Sequence, residues 1–323
     1  MDAFHDPATG VTTVDTGFHR PRFDAAYLVE SDGQAAFIDC GTNHSVPRLL
    51  QALASRGLAP DAVTHLVLTH VHLDHAGGAG ALMRELPAAR LVVHPRGAPH
   101  MIDPAKLIAG ATAVYGEAEV QRSYGRILPV DAGRVEVAAE GHEVRVGRRT
   151  LTCLDAPGHA RHHIVIHDPD SDSFFTGDTF GLSYREFDVD GRPFALPTTT
   201  PVQFEPDALV ASIRRMLQAR PAAMHVTHFG RIGDVQRVGG ELIDQVGAMV
   251  DIARRAGQAH GDDRQARHRG MTDALSELYL ARSRAHGVPL GDAAVLDLLG
   301  MDIELNAQGL GVWLDRDNGR TRA

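Results

Sequence analysis

A short apolar run that breaks into histidines constrains this chain more than any other feature in it. VTHLVLTH (63–70) has the length and β-branched content of a strand buried on both faces, so its end lies at the rim of a core. It leads directly into Val71-His72-Leu73-Asp74-His75-Ala76-Gly77-Gly78. His70, His72, Asp74 and His75 therefore fall within six residues of one another, immediately after a buried strand. A strand ending in a loop that opens a helix projects His70 and His72 to one side and Asp74 and His75 to another. Two adjacent sets of nitrogen and oxygen donors suit two metal ions a few ångströms apart. The Gly77-Gly78 pair would let the next helix begin close beneath the metals, where a Cβ would intrude. Histidine is in excess throughout, 19 against a single Trp, and neutral imidazole is the commonest metal ligand.

The segments around this loop alternate. AYLVE (26–30) and QAAFID (34–39), separated by Ser31-Asp32-Gly33, read as a hairpin. SVPRLLQALASRG (45–57) has helical spacing, with Ser45 as N-cap and Gly57 as C-cap. AGALMRELP (79–87) reads as a helix stopped by Pro87, and RLVVHP (90–95) as the next strand, completing a βαβ unit. Residues 98–130, bracketed by Pro99, Pro104 and Pro129, read as an Ala-rich helical insertion near the pocket. From 134 to 178 the chain is strand-rich, and a helix (205–221) and the strand AAMHVTHFG (222–230) follow. Beyond Gly230 the pattern is helical, through about 250–257, 271–285 and 292–299, with a polar break at 261–269.

Composition narrows the class. A chain of 323 residues can form one large core, or a core with an accessory domain. Hydrophobic residues at 43% and charged residues at 23% are ordinary globular values. The net charge of -9 argues against a broad nucleic-acid or anionic-membrane surface. No 18-residue apolar run occurs, and the first thirty residues lack a basic segment followed by an apolar one. Cys40 and Cys153 interrupt apolar runs and read as buried thiols, which with the missing export signature places the expected location in the cytoplasm.

HVHLDHAGG (70–78) resembles the signature of the metallo-β-lactamase fold superfamily of metallohydrolases, and the family's other motifs follow in order. Asp39 in FIDCGT is similar to an early Asp that supports the metal loop. His159 in APGHARHH resembles the third metal-binding histidine, Asp178 in FFTGDTF the bridging carboxylate, and His228 in HVTHFG the final histidine. The resemblance implies an α/β fold, an αββα sandwich of two mixed β-sheets flanked by helices. Residues 1–231 would form the catalytic domain and 232–323 a C-terminal helical extension, either covering the pocket, as in glyoxalase II, or forming a dimer contact. It further implies that His70, His72 and His159 hold one metal and Asp74, His75 and His228 the other, with Asp178 between them. Cysteine is absent from that set, as in the glyoxalase II-like branch, so zinc is expected first, with iron or manganese as alternatives.

Histidine-rich sites with an open position lower the pKa of bound water to about 7. Asp74, a ligand with a spare oxygen, is expected to orient the bridging hydroxide and carry its proton. Thr69, Thr227, Asp39 and His163 are candidates for holding the ligands by hydrogen bonds. His94, His100 and His225 read as packing residues, and His162 lies beside the third ligand. Tyr184 resembles, at longer spacing, a substrate-facing tyrosine of lactone-cleaving members, and Arg185 is a candidate partner for a substrate carboxylate. The segments 98–130 and 181–204 would decide the substrate, since loops on a rigid scaffold carry specificity.

The first functional expectation is hydrolysis of a small-molecule thioester, ester or lactone, broadly similar to glyoxalase II but without its basic glutathione-binding pattern. A phosphodiesterase or nuclease on the same metals is the second, and an iron-dependent enzyme resembling persulfide dioxygenases the third. A homodimer is the only macromolecular partner considered.

Overall fold

The structure is a computed structural model that describes residues 3–200 and 203–321. Pro201 and Val202, within the 181–204 connection, lie outside the described residues, as do both chain ends.

The apolar runs form two sheets. The first is ordered β1 (Ala3–Asp6), β2 (Val11–Asp15), β3 (Ala25–Ser31), β4 (Gln34–Ile38), β5 (Val63–Val67), β6 (Arg90–Val93) and β7 (Val135–Val137). Its first four strands pair antiparallel and β4 through β7 pair parallel, so the sheet is mixed. The expected hairpin is β3–β4, closed by the Ser31–Gln34 pair over Asp32 and Gly33, both at positive φ. The parallel half is built by helical crossovers: α1 (Val46–Ser55) before β5, then α2 (Leu73–Ala76) and α3 (Ala79–Glu85) before β6. Ser45 precedes α1 as expected, but its hydroxyl accepts from Thr42 N–H at 3.1 Å rather than capping α1. The 98–130 insertion contains α4 (Ala98–Ile102), α5 (Ala105–Tyr115) and α6 (Glu117–Tyr124).

The second sheet contains β8 (His142–Val146), β9 (Arg149–Asp155), β10 (Ile164–Asp168), β11 (Ser173–Leu182), β12 (Ala223–His228) and β13 (Gly230–Ile232), arranged in the order β13-β12-β11-β10-β9-β8. β1, β2 and β13 were not anticipated from the sequence. α7 (Pro206–Gln218) precedes β12, and α8 (Val235–His260), α9 (Arg264–His286) and α10 (Asp292–Thr321) follow β13. These last helices correct the sequence reading, which had three short helices with a break at 261–269. Their polar content masks the period, and only 261–263 separates α8 from α9.

Contacts divide the chain into two compact units. The first comprises residues 3–155, 162–177 and 221–231. Within it the inner faces of the sheets share one core, including Tyr27, Val29, Ile38 and Val92 with Val144, Leu151, Ile166 and Phe175. The other face of the first sheet packs against α1 and α3 through Leu49, Leu53, Leu82 and Met83. The second unit comprises residues 156–161, 178–220 and 232–321, and holds α7 through α10. Cys40 and Cys153 are buried free thiols, and burial pushes Cys153 up to about 12. Among the described residues no helix is long and apolar enough to cross a membrane.

His225 of β12 should contribute to the pH response of this core. Its ring stacks on Phe175 at 4.7 Å and meets Tyr27 edge-on at 5.1 Å, and burial pushes it down to about 3. The unfolded chain therefore takes up the proton first, and stability falls as pH drops below the unfolded value near 6.5 and continues to fall towards 3. The loss attributable to this ring reaches about 2 kcal/mol by pH 5. Urea unfolding of His225→Phe at pH 8 and pH 5 should show a pH difference smaller than the parent's by about that amount. Equal differences would contradict the assignment.

Candidate metal centre

Parallel strands leave their carboxyl ends on one side, and the candidate residues follow from that geometry. Just past β4, Asp39 donates its N–H to the Val67 carbonyl at 2.8 Å, with its backbone left-handed at φ 56°. That turn directs a carboxylate 1% exposed at the end of neighbouring β5. It accepts Thr69 N–H at 2.8 Å, Thr69 Oγ1 at 2.8 Å, Thr227 Oγ1 at 3.3 Å and His75 Nδ1 at 3.1 Å. The Asp39, Thr69 and Thr227 anticipated as supports thus form one buried cluster. Thr69 Oγ1 also lies 3.2 Å from His70 Nδ1.

The loop after β5 then enters the four-residue α2 on Leu73 and Asp74. Gly78 is needed there by a close backbone approach. A Cβ on it would fall 2.5 Å from the Thr42 carbonyl oxygen, so the tight approach is to the backbone of residues 40–42.

Each of four histidines turns Nδ1 to a fixed partner. His70 faces Thr69, His75 faces Asp39, His228 faces the Phe23 carbonyl at 3.1 Å, and His159 faces the Thr198 carbonyl at 3.2 Å. A carbonyl or carboxylate on Nδ1 places the ring proton there and leaves the Nε2 lone pair for a cation. The Nε2 atoms do converge: His75 and His228 lie 3.8 and 3.6 Å from Asp74 Oδ2, and His159 lies 3.2 Å from Asp178 Oδ2. His70 Nε2 is 2.7 Å from Nδ1 of His72, which presents its other nitrogen.

In the first unit Asp74, His75 and His228 each offer a ligand atom within 4.8 Å of the others, and His70 and His72 stand together on the same loop. In the second unit His159 and Asp178 stand together. Donors of this kind, with their rear nitrogens tied, fit divalent cations.

Residues 19–228 match the family model described as the metallo-beta-lactamase superfamily. The chain belongs to that superfamily. A metallo-beta-lactamase fold-containing protein of Sulfurisphaera tokodaii is 25% identical over 237 residues, covering 70% of this chain and 80% of the relative. A hydroxyacylglutathione hydrolase of Cereibacter sphaeroides is 33% identical over 156 residues, which is 48% of this chain and 47% of that protein. The chain thus spans about half the length of the hydroxyacylglutathione hydrolase. The crystal structure of an archaeal superfamily protein from Sulfolobus tokodaii superposes with a TM-score of 0.66 at 22% identity, covering 94% of this chain and 99% of that one. The likeness to that structure concerns the fold, which has the two sheets, flanking helices and C-terminal helices that the resemblance implied.

Not every candidate of the superfamily reading reaches the centre. Tyr184 is 1% exposed and its hydroxyl donates to Asp302 of α10, with both carboxylate oxygens at 3.2 Å. Arg185 folds onto its own segment, bonding the Ser183 carbonyl and hydroxyl and pairing with Asp188 at 3.2 Å. The structure thus places the Tyr184 hydroxyl on α10 and the Arg185 guanidinium on its own segment. His163 stacks on His70 at 4.7 Å, and His162 lies 6.2 Å from the same ring. His94 pairs with Asp155 at 3.1 Å, and His100 lies on α4.

Other contributors carried no signal in the sequence. The loop over residues 16–24 supplies the Phe23 carbonyl to His228 and sets the Phe23 ring edge-on to the imidazole at 5.5 Å. Its ends are closed by Thr16, whose N–H and hydroxyl both lie 3.0 Å from the Asp24 carbonyl. Burial pushes the Asp24 carboxyl up to about 8. Asn43 fastens the helical insertion, donating to the Tyr124 carbonyl at 3.1 Å and the Arg126 carbonyl at 2.6 Å. Ring contacts then run from Phe23 to Phe18 (5.9 Å), Tyr124 (5.6 Å) and Tyr115 (6.5 Å). Burial and, after it, the Asp74 charge push the Tyr115 hydroxyl up to about 12 and Tyr124 higher still.

Proposed function

We propose that this chain is a dinuclear, metal-dependent hydrolase that cleaves a thioester, ester or lactone of a small molecule. The observation carrying the proposal is the donor group Asp74, His75 and His228 of the first unit, in which both imidazoles have Nδ1 tied and Nε2 turned inward. Two divalent cations held there would acidify water and polarise a scissile carbonyl. Asp74, whose side chain is 24% exposed while His75 and His228 beside it are almost buried, is the carboxylate best placed to orient that water and pass a proton outward.

Two further observations favour an acyl substrate over a phosphodiester. Aromatic residues run outward from His228 in the first unit, namely Phe23, Phe18, Tyr124 and Tyr115, with His19 and Arg20 packed on the Phe23 ring, and they continue into α5, whose only charged residue is Lys106. Nucleic-acid sites depend on extended sets of cationic side chains instead. The hydroxyacylglutathione hydrolases among the relatives, named for a thioester, point the same way.

The test begins with elemental analysis of protein purified without added metal. Turnover of p-nitrophenyl butyrate, simple lactones and an acyl thioester is then compared with that of bis-p-nitrophenyl phosphate. Two equivalents of metal and acyl turnover abolished by chelation are expected. Phosphodiester turnover with inert acyl substrates would move the reading to the nuclease class, and oxygen uptake with a persulfide on an iron-loaded preparation would move it to the oxidative one.

A further inference from the structure

His159 depends for its orientation on a connection that a distant helix controls. Its Nδ1 faces the Thr198 carbonyl at 3.2 Å, and Thr200 Oγ1 donates to the His159 carbonyl at 3.2 Å. The carbonyl of residue 198 and the N–H of residue 199 belong to one planar trans peptide and point opposite ways. Whatever grips that N–H therefore aims the carbonyl.

One side chain provides that grip. Asn306 of α10, 1% exposed, accepts the Thr199 N–H on Oδ1 at 2.7 Å and donates from Nδ2 to the Pro197 carbonyl at 3.2 Å. Its second Nδ2 proton goes to the Tyr279 hydroxyl of α9 at 2.8 Å. The amide orientation is unambiguous, because an N–H can only donate and a carbonyl can only accept. Asn306 thus stands where the peptide group of a neighbouring strand would stand. The helix itself comes equally close: a Cβ on Gly309 would fall 2.2 Å from Thr199 Oγ1 and 2.6 Å from the Thr200 carbonyl.

We propose that Asn306 is a positioning residue for the metal centre: through Pro197 and Thr199 it aims the Thr198 carbonyl at His159 and thereby sets which imidazole nitrogen faces the cation. α10 lies beyond the residues 19–228 matched to the family model, so an element outside that matched segment would tune one of its ligands. The proposal rests on the metallohydrolase reading for its consequence, but not for its geometry.

Two measurements on the full chain test it. Long-range 15N–1H spectra of the metal-free protein should show His159 protonated on Nδ1 in the parent, and mixed or Nε2-protonated in Asn306→Ala. In chelator competition with Co(II), Asn306→Ala should weaken one of two bound equivalents by about 10–100-fold and leave the other unchanged. In a His159→Ala background the same substitution should add nothing. A folded Asn306→Ala with the parental His159 tautomer and parental affinities would overturn the proposal, as would a further loss in the His159→Ala background. Should Asn306→Ala fail to fold, Tyr279→Phe removes only one of the three bonds and should shift the same readouts in the same direction by less; no shift overturns the proposal. A parent that binds no Co(II) would sink the two-metal reading alone, since the tautomer spectrum still decides the role of Asn306.

Discussion

Replacing the buried carboxylate at the end of β4 (Asp39→Ala) should destabilise the metal-free protein by about 3–5 kcal/mol, the range for removing one partner of a buried ionic cluster. Four donors lose their acceptor together: Thr69 N–H, Thr69 Oγ1, Thr227 Oγ1 and His75 Nδ1. The left-handed backbone at position 39 adds to the loss, because Asp and Asn tolerate that region better than alanine. Asp39→Asn separates stability from metal binding. Its Oδ1 can still accept the Thr69 N–H, but Nδ2 would stand where Oδ2 receives the His75 Nδ1 proton. A donor facing a donor forces the His75 proton onto Nε2, the atom turned towards Asp74. The asparagine variant should therefore keep most of the stability and lose affinity for one metal equivalent. Urea unfolding and metal titration of both variants check this, and an Asp39→Asn protein binding both equivalents as the parent does would contradict the tautomer argument.

The largest expected effect on rate comes from Asp74→Asn. This carboxylate lies 3.6–3.8 Å from the Nε2 atoms of His228 and His75 and is more open than either imidazole. Asparagine preserves its shape but neither carries the charge nor accepts a proton. On the proposed reading kcat should fall by about 10²–10⁴-fold, the span of a lost general base, with KM little changed. The comparison is made on preparations shown to hold equal metal, so that a lost cation is not mistaken for a lost proton acceptor. A parental kcat in metal-replete Asp74→Asn would remove Asp74 from the chemistry and leave it a ligand.

The two variants differ in how visible their targets are along the chain. Asp74 stands in the densest cluster of donors in the sequence, where residue type and spacing alone announce it. Asp39 was legible only by resemblance, since one aspartate after an apolar run has many uses. The partners of Tyr184 and Arg185, Asp302 for the first and Ser183 and Asp188 for the second, are set by how the chain turns and have no local signal. The last helices were misjudged for a similar reason. Their length depends on packing within the second unit, and the apolar period there is diluted by polar residues.

The local pattern was enough to determine the buried strand with its histidine loop and the βαβ unit beside it, because strand burial and ligand chemistry both act over a few neighbouring residues, whereas His159, Asp178 and His228 were legible only by resemblance to the superfamily. Only the tertiary structure decided which nitrogen each histidine turns inward. Those choices belong to acceptors far away in sequence or without a side-chain signature: the carboxylate of Asp39 for His75, the carbonyl of Phe23 for His228, and the carbonyl of Thr198, gripped through its neighbours by Asn306, for His159. A backbone carbonyl is the same in every residue, so its position is a property of the fold and not of the letters.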